Sequence, residues 1–227
     1  IDQVGSLGQA ITTNIQNEFM KSVRAHSTLF GWQSIHYPQG SYSLFNIPKS
    51  TTETAQYVVN TQTGAWCKFT GQNAACWSLF NGDLYFGAQD GGVIYKADTG
   101  TSDNSADIDW KIRPAFSYFG SRGNQKIFSL CRPHFTTNGA PAFAIDLNLN
   151  FSNINPTNVP TTPTLSAGIW DTSKWDAGVW ADEVTSQAWT TVFGIGECAS
   201  PTIRGNTNSI TLSFTAYDMI WQQGSSI

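Results

Sequence analysis

Residues 74–97 read AACWSLFNGDLYFGAQDGGVIYKA, and this stretch decides the fold class. Three short runs rich in Trp, Leu, Phe, Tyr, Val and Ile are separated by Asn-Gly at 81–82 and by Asp-Gly-Gly at 90–92. Asn-Gly and Asp-Gly favour the positive φ angles that tight hairpins require. Because each loop is too short for a crossover connection, the stretch predicts adjacent antiparallel strands.

The same alternation of short strands and tight turns extends back to residue 32. The upstream strand candidates are WQSIHYP at 32–38, SYSLFNIP at 41–48, and QYVV and AWCKF on either side of the turn at 60–64. Residues 32–100 therefore predict a β-meander like the blade of a propeller.

One helix is expected before the strands, within a lead-in at residues 1–31. Four apolar residues recur at steps of four within residues 9–25: Ile11, Ile15, Phe19 and Val23. This spacing predicts an amphipathic helix, with Ser6 or Thr12 as the N-cap and Gly31 beyond the end.

A second all-β unit is expected at residues 109–227, after a small, polar linker at 101–108. Within it, the strand at 143–151 alternates Phe, Ile, Leu, Leu and Phe with Ala144, Asp146, Asn148 and Asn150, which predicts one buried and one polar face. The last strands are expected at 190–197 and 209–223. A Pro/Thr/Asn loop at 153–163 interrupts the regular succession of short strands and tight turns. A sandwich-like domain is therefore favoured over further blades. The predicted class is all-β with one short N-terminal helix.

Composition excludes several partners. The 227 residues carry a formal net charge of −4, and charged residues make up 12 %, about half of the usual share of roughly 25 %. Because phosphate binding needs clustered positive charge, we expect neither sequence-specific nucleic acid binding nor an anionic membrane as partner. No apolar run is long enough for a spanning helix, so no stable membrane insertion is expected. With 40 % hydrophobic residues, the chain can bury a core.

The four cysteines show no metal-binding spacing. Cys67, Cys76, Cys131 and Cys198 form no CxxC pair, and the three histidines are scattered. We favour small buried thiols in a protein made in a reducing compartment, with a Cys67–Cys76 pair across a hairpin as the alternative. No cofactor is expected. The missing N-terminal methionine suggests a piece of a longer polypeptide.

Four phrases occur in an order that resembles the tail nozzle or tail tubular (head-to-tail stabilisation) proteins of short-tailed bacteriophages. They are YPQGSYSLFNIP, QYVVNTQTGAWCKFTG, LYFGAQDGGVIYKADTG and WKIRPAFSYFGSRGNQK, followed near the end by AYDMIWQQG. The positions that match the family pattern are Asn60, Thr63, Gly64, Trp66, Tyr85, Phe86, Gly87, Asp90, Gly91, Asn124 and Lys126.

The resemblance implies a structural virion protein and not an enzyme. Family members combine a β-propeller with further β domains, assemble as six-fold rings beyond the portal and retain packaged DNA. The implied partners are copies of the chain and other tail or portal-adjacent proteins, in the virion tail after synthesis in the host cytoplasm. The chain departs from the family in size, since its first 100 residues supply strands for one blade and part of another.

The Trp-rich stretch at 170–189 carries the candidate interaction residues Trp170, Trp175 and Trp180, with Trp189 at its end. Core or intersubunit packing is the favoured interpretation, because Trp dominates interface hot spots. The alternative function is a carbohydrate- or receptor-binding module that stacks these rings on a host surface glycan.

Catalytic and ion-binding interpretations are weaker. Asp182 or Glu183 with Glu197 would be a glycosidase pair, which makes a glycan hydrolase the third hypothesis. Asp83 and Asp90 would offer carboxylates to calcium, but their place in tight turns is the simpler explanation for them. The glycines and cations at 120–126 suggest a phosphate loop, although a hairpin loop is favoured because no helix follows.

Overall fold

The computed structural model of the chain describes residues 11–139, 141–154, 184–186 and 189–226. The chain forms two compact units, Ile1–Thr99 and Gly100–Ile227. Strands dominate both units, and the described residues contain a single α-helix, near the N-terminus. The predicted class, all-β with one N-terminal helix, is confirmed.

The helix follows a turn of 3₁₀ helix at Ile11–Ile15 and is α1, Gln16–His26. Thr12 lies inside the 3₁₀ turn and Ile15 occupies the N-cap without a side-chain hydrogen bond, so the suggestion of Thr12 as cap is wrong. The Phe19 ring lies 6.5 Å from that of Phe45 and 6.4 Å from that of Tyr57. Phe19 of α1 thus packs against two side chains of the first sheet.

The first sheet is an antiparallel meander of four strands in sequential order. Its strands are β1 Gln33–Tyr37, β2 Tyr42–Pro48, β3 Thr54–Asn60 and β4 Trp66–Thr70. At the β3–β4 turn, the Asn60 side-chain oxygen accepts hydrogen bonds from the backbone N–H groups of Gln62 and Thr63, each at 2.9 Å. Gly64 closes this turn at φ +70°, where a Cβ would be strained.

The second sheet contains β5 Ala74–Phe80, β6 Asp83–Ala88 and β7 Ile94–Lys96. Asn81 and Gly82 both have positive φ, as a two-residue type I′ hairpin requires. The expectation of one continuous meander is wrong, because β4 and β5 belong to different sheets. At the crossing, the buried Gln56 amide donates to the Gln72 carbonyl, which holds the chain as it leaves the first sheet. The core between the sheets consists of Tyr37, Leu44, Val58, Ala74, Trp77, Leu84 and Ala97.

The second unit contains seven described strands: β8 Ile108–Ile112, β9 Asn124–Thr137, β10 Ala142–Leu149, β11 Val184–Ser186, β12 Thr190–Gly196, β13 Ala199–Thr207 and β14 Leu212–Ser226. One sheet has the order β10–β13–β8. In the other, the long strand β9 pairs with β14 along one edge and with β12 and β11 in succession along the other. Buried side chains from both sheets form one core, made of Phe128, Cys131, Leu147, Val192 and Ala199. This is a sandwich-like arrangement.

Two features of this unit differ from the sequence-based expectation. Strand β13 was not predicted, yet it is the buried centre of its sheet. Asn148, expected on a polar outer face, is fully buried and donates to the Ser200 carbonyl and to Thr202. The burial of Asn148 is tolerated because its amide finds hydrogen-bond acceptors on the neighbouring strand β13.

The segment expected to be a linker makes its own contacts within the second unit. Asp103 and Ala106 form an isolated antiparallel bridge. The Ser209 N–H donates to the Thr101 carbonyl at 3.0 Å, and Ile108 already begins β8. The segment is therefore attached to the unit that follows it.

Candidate interaction surface

The second half of strand β12 places its bulky residues outside and its glycines inside, whereas Val192 lies in the core. Gly194 and Gly196 are buried, and a Cβ at Gly194 would lie 2.5 Å from the Leu149 side chain of β10. Phe193 and Ile195, which alternate with them, are 74 % and 51 % exposed. The two sheets approach closely along β10 and β12 because these inward positions carry no side chain.

Further apolar residues lie on the same outer face. Paired residues of neighbouring strands share a face of the sheet, and Ile195 pairs with Ile127 of β9 while Leu130 of β9 pairs with Ile220 of β14. Ile220 is 42 % exposed, and Trp189, just before β12, is 41 % exposed. We name as the outer apolar patch the six residues Ile127, Leu130, Trp189, Phe193, Ile195 and Ile220.

A charged cluster borders the outer apolar patch. The Asp218 carboxylate accepts hydrogen bonds from the Arg132 Nε at 3.1 Å and contacts the His134 Nε2 at 2.9 Å. These two partners, Arg132 first, lower the pKa of the Asp218 carboxyl below its ordinary value. The Arg132 guanidinium also lies 4.6 Å from the centre of the Trp189 ring and occupies one face of it. The formal charges beside the patch are thus paired within the sheet.

The opposite side of the sandwich is open. Strand β8 is the edge of one sheet and β14 is an edge of the other, and between them lies a groove of about 440 Å³. Its apolar walls come from Ile108, Trp110 and Ile112 of β8 and from Leu212 and Phe214 of β14, with Gly100, Thr101, Thr207, Ile210 and Thr211 completing the lining. We call this space the edge groove. No charged side chain lines it.

The residues chosen from the sequence are placed as follows. Trp170, Trp175 and Trp180, and likewise Asp182 and Glu183, lie outside the described residues. The described partner of the suggested glycosidase pair, Glu197, contributes its backbone carbonyl to Lys126.

The two cationic side chains of the glycine-rich loop at 120–126 contact other groups of the same unit. Lys126 is fully buried, and its ammonium donates to the carbonyls of Ser121, Asn124 and Glu197. The Arg122 guanidinium lies 4.7 Å from the centre of the Tyr118 ring. The ammonium of Lys126 is therefore directed at backbone oxygens and not at a phosphate.

Carboxylates and thiols give no ion site in the described part of the chain. Asp83 forms an ion pair with Lys96 at 2.7 Å. Within that part, no group of three or more His, Cys, Asp or Glu side chains is placed to hold a metal ion. All four cysteines are free, and Cys67 and Cys76 are exposed on strands of different sheets. The alternative of a Cys67–Cys76 hairpin pair is therefore wrong. The favoured expectation of buried thiols is confirmed for Cys131 and Cys198 and wrong for Cys67 and Cys76.

The comparisons with known proteins do not place the chain in a family. No protein-family model matches it, and no curated protein matches it either. Among the described residues, no helix combines the length and the apolar character needed to cross a membrane.

Of the outer apolar patch, only Trp189 was singled out from the sequence; the other five residues were not expected. A usable signal was present in Val192-Phe193-Gly194-Ile195-Gly196, because glycines at alternate positions of a strand mark a face where another backbone or side chain approaches closely. The bulky residues between such glycines must then point away from the core.

Proposed function

We propose that this chain is a structural subunit that acts by stable association with copies of itself or with neighbouring chains, and that it belongs to a bacteriophage tail. The observation that carries the first part is the outer apolar patch, where Phe193 is 74 % exposed on an otherwise ordered sheet. Contiguous exposed apolar surface on a soluble protein marks an interaction site.

The size of the patch matches the apolar centre of a standard protein interface. Taking roughly 200 Å² for a fully exposed aromatic side chain and somewhat less for isoleucine, the four exposed members leave about 400 Å² of apolar surface in water. A standard interface takes about 800 Å² from each partner, a little over half of it apolar. The patch is thus about large enough for the apolar centre of one such interface.

The assignment to a phage tail rests on the sequence resemblance. The turn at Asn60–Gly64 and the Asn124–Lys126 element, both part of the resemblance, are sites of dense local hydrogen bonding in this structure. The resemblance further suggests a ring at the distal end of the portal, with neighbouring tail proteins as partners. Under this proposal the chain retains DNA by assembly and has no catalytic role.

The test is the mass of the chain in solution. We expect the wild-type chain to associate with increasing concentration in sedimentation velocity, and the double variant Phe193→Ser/Ile195→Ser to remain monomeric. Loss of a hot-spot residue typically costs at least about 2 kcal/mol, or roughly a 30-fold weaker dissociation constant. Thr191→Ser, on the same face of β12, is the matched control and should associate like the wild type.

The competing functions predict different results. A wild-type chain that stays monomeric at all concentrations, and that binds or cleaves host surface polysaccharide, would contradict the structural role. Binding without cleavage would support the receptor-binding module, and released sugar would support the hydrolase.

A further inference from the structure

The outer apolar patch and the edge groove lie on different sides of the second unit. The patch centres on β12, which lies against β10 at the closed side of the sandwich. The groove lies at the other side, between β8 and β14. We propose, as an extension of the assembly function above, that copies of this chain associate head to tail, with Phe193 and Ile195 of one copy seated in the edge groove of the next.

Shape supports this pairing. Phe193 and Ile195 project from one face of a strand at positions i and i+2, which places them about 7 Å apart. The groove wall on β8 repeats at the same interval, with Ile108, Trp110 and Ile112 at alternate positions. The two protruding side chains therefore have the same spacing as the apolar residues along the groove wall.

Surface area also supports a second copy as the occupant. Phe193 and Ile195 are the two most exposed members of the patch, and the groove of about 440 Å³ has room for side chains of their size. With the rest of the patch they supply the roughly 400 Å² of apolar area that the centre of a standard interface requires from one partner.

Charge favours the same arrangement. The lining of the groove is uncharged, and the Arg132 and Asp218 side chains beside the patch already pair with each other. Joining the two surfaces therefore buries no unpaired charge, which would otherwise oppose association by several kcal/mol.

Because the patch and the groove lie on different sides of the unit, the choice of contact determines the symmetry of the assembly. A contact of patch with patch would be isologous and would leave every groove open to water. A contact of patch with groove is heterologous, so each copy uses both surfaces and the association closes into a ring or continues as a filament.

Two variants test this inference by complementation. Phe193→Asp places a charge on the patch, and Ile108→Asp places one at the rim of the groove, where Ile108 is 40 % exposed. We expect each variant alone to be monomeric, and an equimolar mixture to form a dimer and nothing larger. The dimer forms because one variant keeps its groove and the other keeps its patch. Circular dichroism and thermal melting of each variant are the controls for folding.

The other outcomes are informative in distinct ways. If Ile108→Asp alone still dimerises, the contact is patch to patch and the inference is wrong while the assembly function stands. If both variants assemble like the wild type, other surfaces mediate assembly and the inference is again wrong. If the wild type itself never associates, the proposed function fails.

A cross-linking experiment gives a second measurement. In a Cys67→Ser/Cys76→Ser background, which removes the exposed thiols, Thr191→Cys with Thr211→Cys should give a ladder of disulfide-linked copies on mild oxidation, because both positions leave Phe193, Ile195 and the apolar groove walls in place. Thr191→Cys paired with the exposed turn variant Thr63→Cys is the matched control. An equal ladder in the control would overturn the proposed contact.

Discussion

Lys126 shows how one residue organises the start of the longest described interior strand. Its ammonium is fully buried, 6.0 Å from the Trp221 ring centre, and donates to the Asn124 carbonyl at the start of β9 and to the Glu197 carbonyl between β12 and β13. A buried charge is tolerated only where such partners satisfy it. The position matched the family pattern in the sequence, but its hydrogen bond to the Glu197 carbonyl joins Lys126 to a residue 71 positions further along the chain.

The cysteines differ sharply in their surroundings. Burial, with a smaller effect of Asp218, raises the pKa of the Cys131 thiol to about 12, and Cys198 is 1 % exposed. We expect a thiol reagent to modify two of the four cysteines in the native protein, Cys76 and, more slowly because burial raises its pKa, Cys67. All four should react after denaturation. Rapid native modification of Cys131 would show that the core of the second unit opens readily.

The Asp218 cluster predicts a pH dependence of stability. Because Arg132 and His134 lower the pKa of the folded carboxyl, its stabilising effect is present above the unfolded value of about 4 and is lost as pH falls through the lower folded value. Urea denaturation should therefore show Asp218→Asn less stable than wild type at neutral pH, with the difference vanishing in acid. Gln222→Ala, on the same strand, removes no titrating group and should differ from wild type by a constant amount.

At the scale of elements, the sequence did not predict strand β13 or the packing of strand β12. The sequence ASPTIRGNT of β13 lacks apolar alternation and contains Pro201, which is poorly compatible with a central strand. Pro201 is accommodated because the β8 pairing ends at Ile203. In β12 the alternation of glycines with bulky residues was visible in the sequence, but the strand that packs against the glycines, β10, was not. By contrast, β1 to β7 were predicted nearly to the residue, since turn signals bound each of them.

The packing of β13 gives a prediction at this scale. Gly205 pairs with Trp110 on β8, and a Cβ added to it would collide with the Trp110 ring and with the Ala142 carbonyl. Because one of these neighbours is backbone, Gly205→Ala should lower the free energy of unfolding by about 1–3 kcal/mol in urea denaturation. Gly64→Ala, with open space at φ +70°, measures the cost of backbone strain alone. A neutral Gly205→Ala would show that β8 shifts away from β13.

At the scale of the whole molecule, the second unit leaves two apolar surfaces exposed to water. In the second unit, the sandwich is closed along β10 and β12 and open along β8 and β14, and the apolar patch lies on the sheet that contains β12. Long unpaired edges and exposed apolar faces are liabilities for a monomer, and stable assembly removes both. The oligomeric state is therefore the property that tests the proposed function most directly.

The sequence by itself determined the all-β class, the N-terminal helix and nearly every strand and turn from residue 32 to 98. These follow from turn residues and side-chain periodicity, which are properties of contiguous residues. Only the tertiary structure decided that β4 and β5 belong to separate sheets, that β13 lies at the centre of a sheet, and that β10 is the strand packed against the glycines of β12. Those choices depend on which distant strand packs against each face, because a strand has two equivalent sides until another layer covers one of them.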